Sequence, residues 1–184
     1  MILRPGSGQA KPVVVFAVGN PSRGDDAIGP VICGRLAKWL ENEELTERVE
    51  LIEDFQLNIE HALDLQGREL ALFIDAGENT QAPFIFEQIF PSTVPSHTTH
   101  ALPPQAVLQV YRQMEGTEPP PAFVLCVRGE KFELGEPLTA AAENHAEWAF
   151  EMLMGFCRQP MLAKWEAAAT SIEQLSINSR PLET

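Results

Sequence analysis

The chain has 184 residues, which is enough for one domain with a sizeable hydrophobic core. It carries 13 Lys and Arg residues against 26 Asp and Glu residues, so its formal net charge is −13. A surplus of negative charge disfavours binding to a nucleic-acid backbone or to an anionic membrane surface. The composition favours a basic protein or a cation as the partner.

Three cysteines, Cys33, Cys126 and Cys157, lie far apart in apolar surroundings, so neither a disulfide framework nor a thiolate metal site is predicted. We expect them to be buried packing residues. Residues 1–12 lack the continuous apolar core of a signal peptide, and no apolar run approaches the roughly 20 residues that a membrane helix needs. The sequence therefore predicts a cytoplasmic protein that does not associate with a membrane.

The first predicted strand, VVVFAV at 13–18, is apolar without alternation, which is typical of a central strand covered on both faces. The following segment, GNPSRGDDAIGP, contains residues that tolerate a sharp turn and then the helical stripe from Ile28 to Leu40. Its glycines do not form G-x-G-x-x-G, and two aspartates would repel a pyrophosphate, so nucleotide binding is disfavoured.

The two aspartates of this segment are predicted to differ in role. Carboxylates are favoured in the first turn of a helix, where they interact with unpaired N–H groups, and Asp25 is expected to act as such a cap. Asp26 is expected to lie at the carboxyl edge of the sheet, where open α/β folds bind their ligands.

Strands and helices alternate along the rest of the chain. Gly67 and Gly116 are placed as stops after helices, and the last helix is expected to bury Trp148. The predicted strands cover 48–52, 70–74, 84–90 and 122–127, and the predicted helices cover 56–66, about 102–116 and about 139–157.

This alternation predicts a three-layer α/β/α sandwich around a mostly parallel sheet of about five strands. We assign residues 1–160 to a single domain and 161–184 to a C-terminal extension that is partly helical or mobile, since Pro160 breaks the last helix and only a weak amphipathic pattern follows.

Three side chains are predicted to meet at the carboxyl edge: Asp26 after the first strand, Asp75 after the third and His100 in a loop before a helix. Two carboxylates and one imidazole suit a divalent cation and leave coordination positions open. Each residue also has an ordinary structural explanation as a cap, a turn residue or a loop histidine. The joint placement is what favours a site.

Three motifs resemble those of the hydrogenase maturation proteases: GNPSRGDDAIGP after an apolar strand, FIDAG after a later strand, and SHTTHALP at the end of a loop. The resemblance covers about 13–157. It implies that Asp26, Asp75 and His100 bind metal and carry the catalysis, and that His97 is free.

The resemblance also implies a substrate. Members of this family remove a C-terminal extension from the large subunit precursor of a [NiFe]-hydrogenase, and nickel already inserted in the precursor, rather than a resident metal, is what they recognise. Where many members have Asp-Gly-Gly after the second strand, this chain has Glu53-Asp54-Phe55, which resembles the branch that serves NAD-reducing, bidirectional hydrogenases.

Two other functions fit the same residues. One is a metallohydrolase that holds its own zinc at Asp26, Asp75 and His100. The other is a non-enzymatic adaptor whose acidic face binds a basic protein. The group that activates water is also open, with the metal, a polarised water and a neighbouring carboxylate such as Glu53 as the alternatives.

Overall fold

The computed structural model describes residues 10–93 and 102–169. Its centre is one five-stranded sheet with the strand order β2-β1-β3-β5-β4. Only β4, which pairs with β5, runs antiparallel. The strands are β1 (Val13–Val18), β2 (Val49–Asp54), β3 (Leu70–Gly77), β4 (Phe84–Ile89) and β5 (Ala122–Arg128).

Helices cover both faces of this sheet. A 3₁₀ turn precedes the first of them, and a further helical segment at 162–169 follows the last. The helices are α1 (Ile28–Asn42), α2 (His61–Asp64), α3 (Pro104–Glu115) and α4 (Ala140–Arg158), and the 3₁₀ turn is Gly24–Ala27. The predicted three-layer fold with a mostly parallel sheet is confirmed.

Each face of the sheet has its own hydrophobic core. Odd-numbered side chains of β1, such as Val13 and Val15, pack with α1, α4 and the segment 162–169, whereas even-numbered ones, such as Phe16, pack with α2 and α3. All six residues of β1 are buried. The unbroken apolar run at 13–18 thus reflects a strand that faces a core on both sides.

Two local predictions differ from the structure. The helix predicted over 56–66 shrinks to His61–Asp64, because Asn58 bonds locally: its side chain accepts from the Glu60 N–H (2.9 Å) and its N–H donates to His61 Nδ1 (3.0 Å). The expectation that Trp148 is buried is wrong, since 54% of it is exposed on the outer side of α4.

Trp165, in the helical segment 162–169, belongs to the main core. It is 1% exposed, and its ring lies 5.0 Å from that of Phe156 and 5.3 Å from that of Phe123. Phe86 completes this aromatic cluster. The cluster ties the segment after Pro160 to the sheet.

None of the helices within 10–93 and 102–169 is long and apolar enough to cross a membrane.

Replacing Trp165 with alanine should lower the free energy of unfolding by about 3–5 kcal/mol, because a buried aromatic side chain leaves a cavity. Trp148→Ala is the matched control and should change it by less than about 0.5 kcal/mol, since Trp148 is largely exposed. Urea unfolding of both variants measures the difference. Equal losses would show that the segment around Trp165 does not contribute to the core.

Candidate functional site

The loop after β1 brings the chain sharply back over the sheet edge. Gly19 has φ 143° and Gly24 has φ 54°, conformations that side chains disfavour. A Cβ at Gly19 would also collide with the backbone oxygen of Asp26, and one at Gly24 with that of Lys131. Glycine is therefore required at both positions for the 3₁₀ turn to sit against its neighbours.

Asp26 lies in this 3₁₀ turn, half-buried, at the carboxyl end of β1. Its Oδ2 accepts a hydrogen bond from the Asn20 N–H at 3.1 Å. The bond spans the loop and fixes the direction of the carboxylate. One oxygen is thereby held by the protein, and no hydrogen bond from the described residues is seen at the other.

Asp75 lies near the carboxyl end of β3, the strand next to β1. Solvent reaches its side chain, but the protein crowds the carboxyl from the other sides. This burial raises the pKa of Asp75 to about 6, against an opposing hydrogen bond from the Ala76 N–H (2.8 Å), and the negative charge of Asp26 adds to the increase. Asp26 and Asp75 thus act on each other electrostatically.

The 3₁₀ turn that carries Asp26 also contacts β3 directly, which brings the two aspartates to one edge of the sheet. A cation between them would relieve their repulsion. His100 lies outside the described residues, so the three-residue site of Asp26, Asp75 and His100 stays a prediction. Within 10–93 and 102–169, no three His, Cys, Asp or Glu side chains are grouped closely enough to hold a metal.

The expectation that Asp25 caps a helix is wrong. Its side chain is 0% exposed and accepts four hydrogen bonds from the loop between β5 and α4. The donors are the N–H groups of Glu130 (2.6 Å), Lys131 (3.0 Å) and Thr139 (2.7 Å) and the hydroxyl of Thr139 (2.9 Å). Burial alone would raise the pKa of Asp25, but these bonds outweigh it and the pKa is lowered.

Further bonds tie the loop between β5 and α4 to the loop after β1. Arg23 Nε donates to the Phe132 carbonyl (2.8 Å), and the Gly135 N–H donates to the Ser22 carbonyl (2.8 Å). The Asp25 N–H itself donates to the Lys131 carbonyl at 2.7 Å. The backbone that carries Asp26 is therefore braced on both sides by a second loop.

A polar pair at the end of β2 was missed by the sequence reasoning. His61 is 5% exposed, its ring lies 5.4 Å from that of Phe16, and its Nε2 faces Asp54 Oδ2 at 3.6 Å. Nδ1 accepts from the Asn58 N–H, so the ring proton lies on Nε2. The spacing of Leu57, His61 and Leu65 was the available signal, since it places a histidine in an apolar row.

A depression of about 290 Å³ opens beside this pair. Its lining residues come from the ends of β1 and β2 and include the Glu53-Asp54-Phe55 segment: Gly19, Pro21, Glu53, Asp54 and Phe55. Phe55 is 67% exposed. The depression and the two aspartates lie at the same edge of the sheet, so the segment singled out in the sequence borders the candidate site.

The cysteines are in the free form, and their surroundings favour the thiol. Burial raises the pKa of Cys33 to about 11 and that of Cys157 to about 12, and Cys126, which is partly buried, also has a raised pKa for the same reason. The expectation of buried packing residues is confirmed for Cys33 and Cys157.

Several solved structures with a similar fold are described as hydrogenase maturation proteases. HybD from Escherichia coli, a hydrogenase maturating endopeptidase, matches with a TM-score of 0.64 and 22% identity over 80% of this chain and 93% of its own. The [NiFe] hydrogenase maturation protease HycI from Thermococcus kodakarensis KOD1 matches with a TM-score of 0.60 and 23% identity over 83% of this chain and 96% of its own.

A third structure, an endopeptidase from Escherichia coli, has a TM-score of 0.59 and 25% identity over 80% of this chain and 93% of its own. No protein-family model and no curated protein matches the chain. The resemblance inferred from the three motifs is therefore confirmed at the level of the fold, which these structures share with this chain over nearly their whole length.

Asp25→Asn should destabilise the fold by about 2 kcal/mol, because an amide nitrogen cannot accept the hydrogen bonds that the lost carboxylate oxygen received. Asp26→Asn should have little effect on the free energy of unfolding, since the remaining oxygen can still accept from Asn20. Urea unfolding at pH 7 compares the two variants. Equal stability of Asp25→Asn and the wild type would contradict the bracing role.

Asp75 should make the metal-free protein more stable in mild acid. Its pKa is about 6 when folded and 3.8 ordinarily, so the folded state binds more protons between these values and stability falls as the pH rises from about 4 to 6. Asp75→Asn should flatten this dependence and raise the melting temperature at pH 8. The measurement is a pH series of thermal unfolding for both proteins, and an unchanged series in the variant would contradict the raised pKa.

Proposed function

We propose that this protein is an endopeptidase that removes a C-terminal extension from the nickel-loaded large subunit precursor of a [NiFe]-hydrogenase. The observation that carries the proposal is the pair of aspartates, Asp26 and Asp75, at the carboxyl edge of adjacent strands in a fold shared with hydrogenase maturation proteases. Their mutual repulsion makes this edge attractive to a cation.

Nickel belongs to the substrate in this proposal. The precursor holds the ion, and Asp26, Asp75 and His100 contact it from the protease side, so a precursor without nickel offers no ion to recognise. Carboxylate and imidazole are both suitable nickel ligands. Asp26 has one oxygen held by Asn20, which aims the carboxylate while leaving the second oxygen for the ion.

The fold and the acidic edge also support the hydrolase assignment over an acidic adaptor. The loop of Asp26 is braced by buried bonds to Asp25, which is the rigidity that positioned chemistry needs rather than the broad charge of a docking face. The Glu53-Asp54-Phe55 segment borders the site. Because it resembles the segment of the branch that serves NAD-reducing, bidirectional hydrogenases, it supports a precursor of that class. Such a substrate agrees with the proposed cytoplasmic location.

Mass spectrometry of hydrogenase large subunits incubated with this protein tests the proposal. Nickel-loaded precursor should lose its C-terminal extension, and precursor prepared without nickel should stay intact, because the ion is the element recognised. Precursor that is cut equally fast without nickel would favour a resident zinc enzyme. A nickel-loaded precursor that binds but stays uncut would favour the adaptor.

Metal analysis of the purified protein separates the two hydrolase alternatives. A resident zinc enzyme retains about one equivalent of zinc, whereas a protease that recognises nickel in its substrate should lose any bound metal on dialysis and keep its cleavage activity. A chelator that abolishes cleavage of nickel-loaded precursor by stripping zinc from the protease, with recovery on zinc addition, would overturn the nickel assignment.

His100→Ala and Asp26→Asn should each reduce cleavage of nickel-loaded precursor by at least about 100-fold, a loss of the size seen when groups at a metal site are removed. The free energy of unfolding should stay close to that of the wild type in both. His97→Ala is the matched control, and it should cleave normally. Comparable losses at His97 and His100 would mean that the loop, rather than one imidazole, is required.

A further inference from the structure

β2 is an edge strand of the sheet, with β1 as its partner on one side. The Arg48 carbonyl accepts from the Val13 N–H (3.1 Å), and the Asp54 carbonyl accepts from the Gly19 N–H (3.1 Å), so even-numbered residues of β2 direct their backbone groups at β1. The odd-numbered residues Val49, Leu51 and Glu53 direct theirs outward, where no strand of 10–93 or 102–169 pairs with them. Val49 is only 2% exposed, so the accessible outward groups are those of Leu51 and Glu53.

Two depressions adjoin β2, one between this strand and α1 and one at its carboxyl end beside the loop after β1. One of about 290 Å³ adjoins Val49, Glu50 and Leu51, and the other, also of about 290 Å³, adjoins Glu53, Asp54 and Phe55. The second one reaches Gly19 in the loop that leads to Asp26. An extended segment lying along β2 would therefore end beside the candidate site.

Charge argues against a second copy of this chain as the occupant. Two copies pairing β2 with β2 would bring together Glu53 and Asp54 from both, and each copy has a net charge of −13. Like charges at an exposed edge are a known protection against such pairing. The same side chains attract an extended peptide that carries positive charge.

We propose that β2 binds the C-terminal extension of the precursor as an added antiparallel strand, with main-chain hydrogen bonds to Leu51 and Glu53. This inference rests on the proposed function and adds how the substrate is held. Strand addition at a free sheet edge is an established mode of peptide recognition, in which the backbone supplies affinity. The accessible part of β2, residues 51–54, offers room for about four residues of peptide.

The direction follows from where the metal lies. If the nickel of the precursor meets Asp26 and Asp75, the folded body of the precursor lies beyond the carboxyl edge of the sheet. The residues that follow the scissile bond must then run from that edge toward Val49, against the direction of β2. A parallel arrangement would put the folded body at the opposite edge, away from both aspartates.

Leu51→Pro tests the strand directly, because proline removes the outward N–H of Leu51 without touching the bonds between β2 and β1. Leu51→Ala is the matched control, since it loses the same side chain and keeps the N–H. The Michaelis constant for nickel-loaded precursor should rise about tenfold more in the proline variant, the value of one or two lost hydrogen bonds. Equal constants in the two variants, both folded by circular dichroism, would overturn the proposal.

Hydrogen exchange gives a readout that does not depend on cleavage. The probe is a synthetic peptide with the sequence of the extension that mass spectrometry shows to be released. Its binding should slow exchange at the Leu51 and Glu53 amides, while the amides of Glu50 and Ile52, already bonded to β1, should not change. Protection elsewhere but not at β2 would overturn the proposal.

Methylating the amides of this peptide one at a time gives the register. Losses of about tenfold in affinity should appear at every second residue, because alternate N–H groups face β2. A pattern without this alternation would contradict strand addition while leaving the proposed function intact.

Wild-type protein that cuts no nickel-loaded precursor would instead overturn the proposed function, and the identity of the peptide with it.

Discussion

The buried carboxylate of Asp25 is the interaction on which the site depends. It accepts four hydrogen bonds from the loop between β5 and α4, and Thr139, which donates two of them, is also the residue that caps α4 through the Ala142 N–H. One side chain thus joins the loop after β1, the loop after β5 and the start of a helix. Because Asp26 is the next residue along the chain, whatever holds Asp25 in place also determines where Asp26 can point.

Adjacent aspartates in this turn therefore serve opposite purposes. Asp25 is surrounded by donors that lower its pKa, so its charge is satisfied within the protein. Asp26 lies beside Asp75, whose pKa is raised by burial and by the charge of Asp26, so this second pair carries unsatisfied negative charge at an open edge. A folded protein keeps such a repulsion only where other contacts outweigh it, and the braced loop supplies them. The stored repulsion favours a cation, which is the proposed role of the site.

Much of the fold could be predicted because the sequence pattern reflects it directly. β1 was predicted with its observed bounds since a strand buried on both faces is apolar throughout, and Gly116 was correctly placed at the end of α3, where it has φ 68°. The role of Asp25 could not be predicted, because its partners at 130–139 are more than a hundred residues away and mostly backbone groups. The exposure of Trp148 was missed for a related reason: helical periodicity marks an apolar face but does not show how wide a face the sheet covers.

The position of the candidate site at one end of the sheet and the edge position of β2 among the strands of 10–93 and 102–169 are consequences of the same topology. In the order β2-β1-β3-β5-β4, the connection after β1 leads to one side and the connection after β2 leads back across β1 to β3. A crevice opens where these connections diverge. Asp26 and Asp75 lie at that crevice, and the outward backbone groups of β2 begin one strand away. The proposed function needs both a chemical centre and a means of aligning an extended segment of the precursor with it. In this fold the strand order places the proposed metal-binding edge and the proposed peptide-binding edge side by side, with the Glu53-Asp54-Phe55 segment between them.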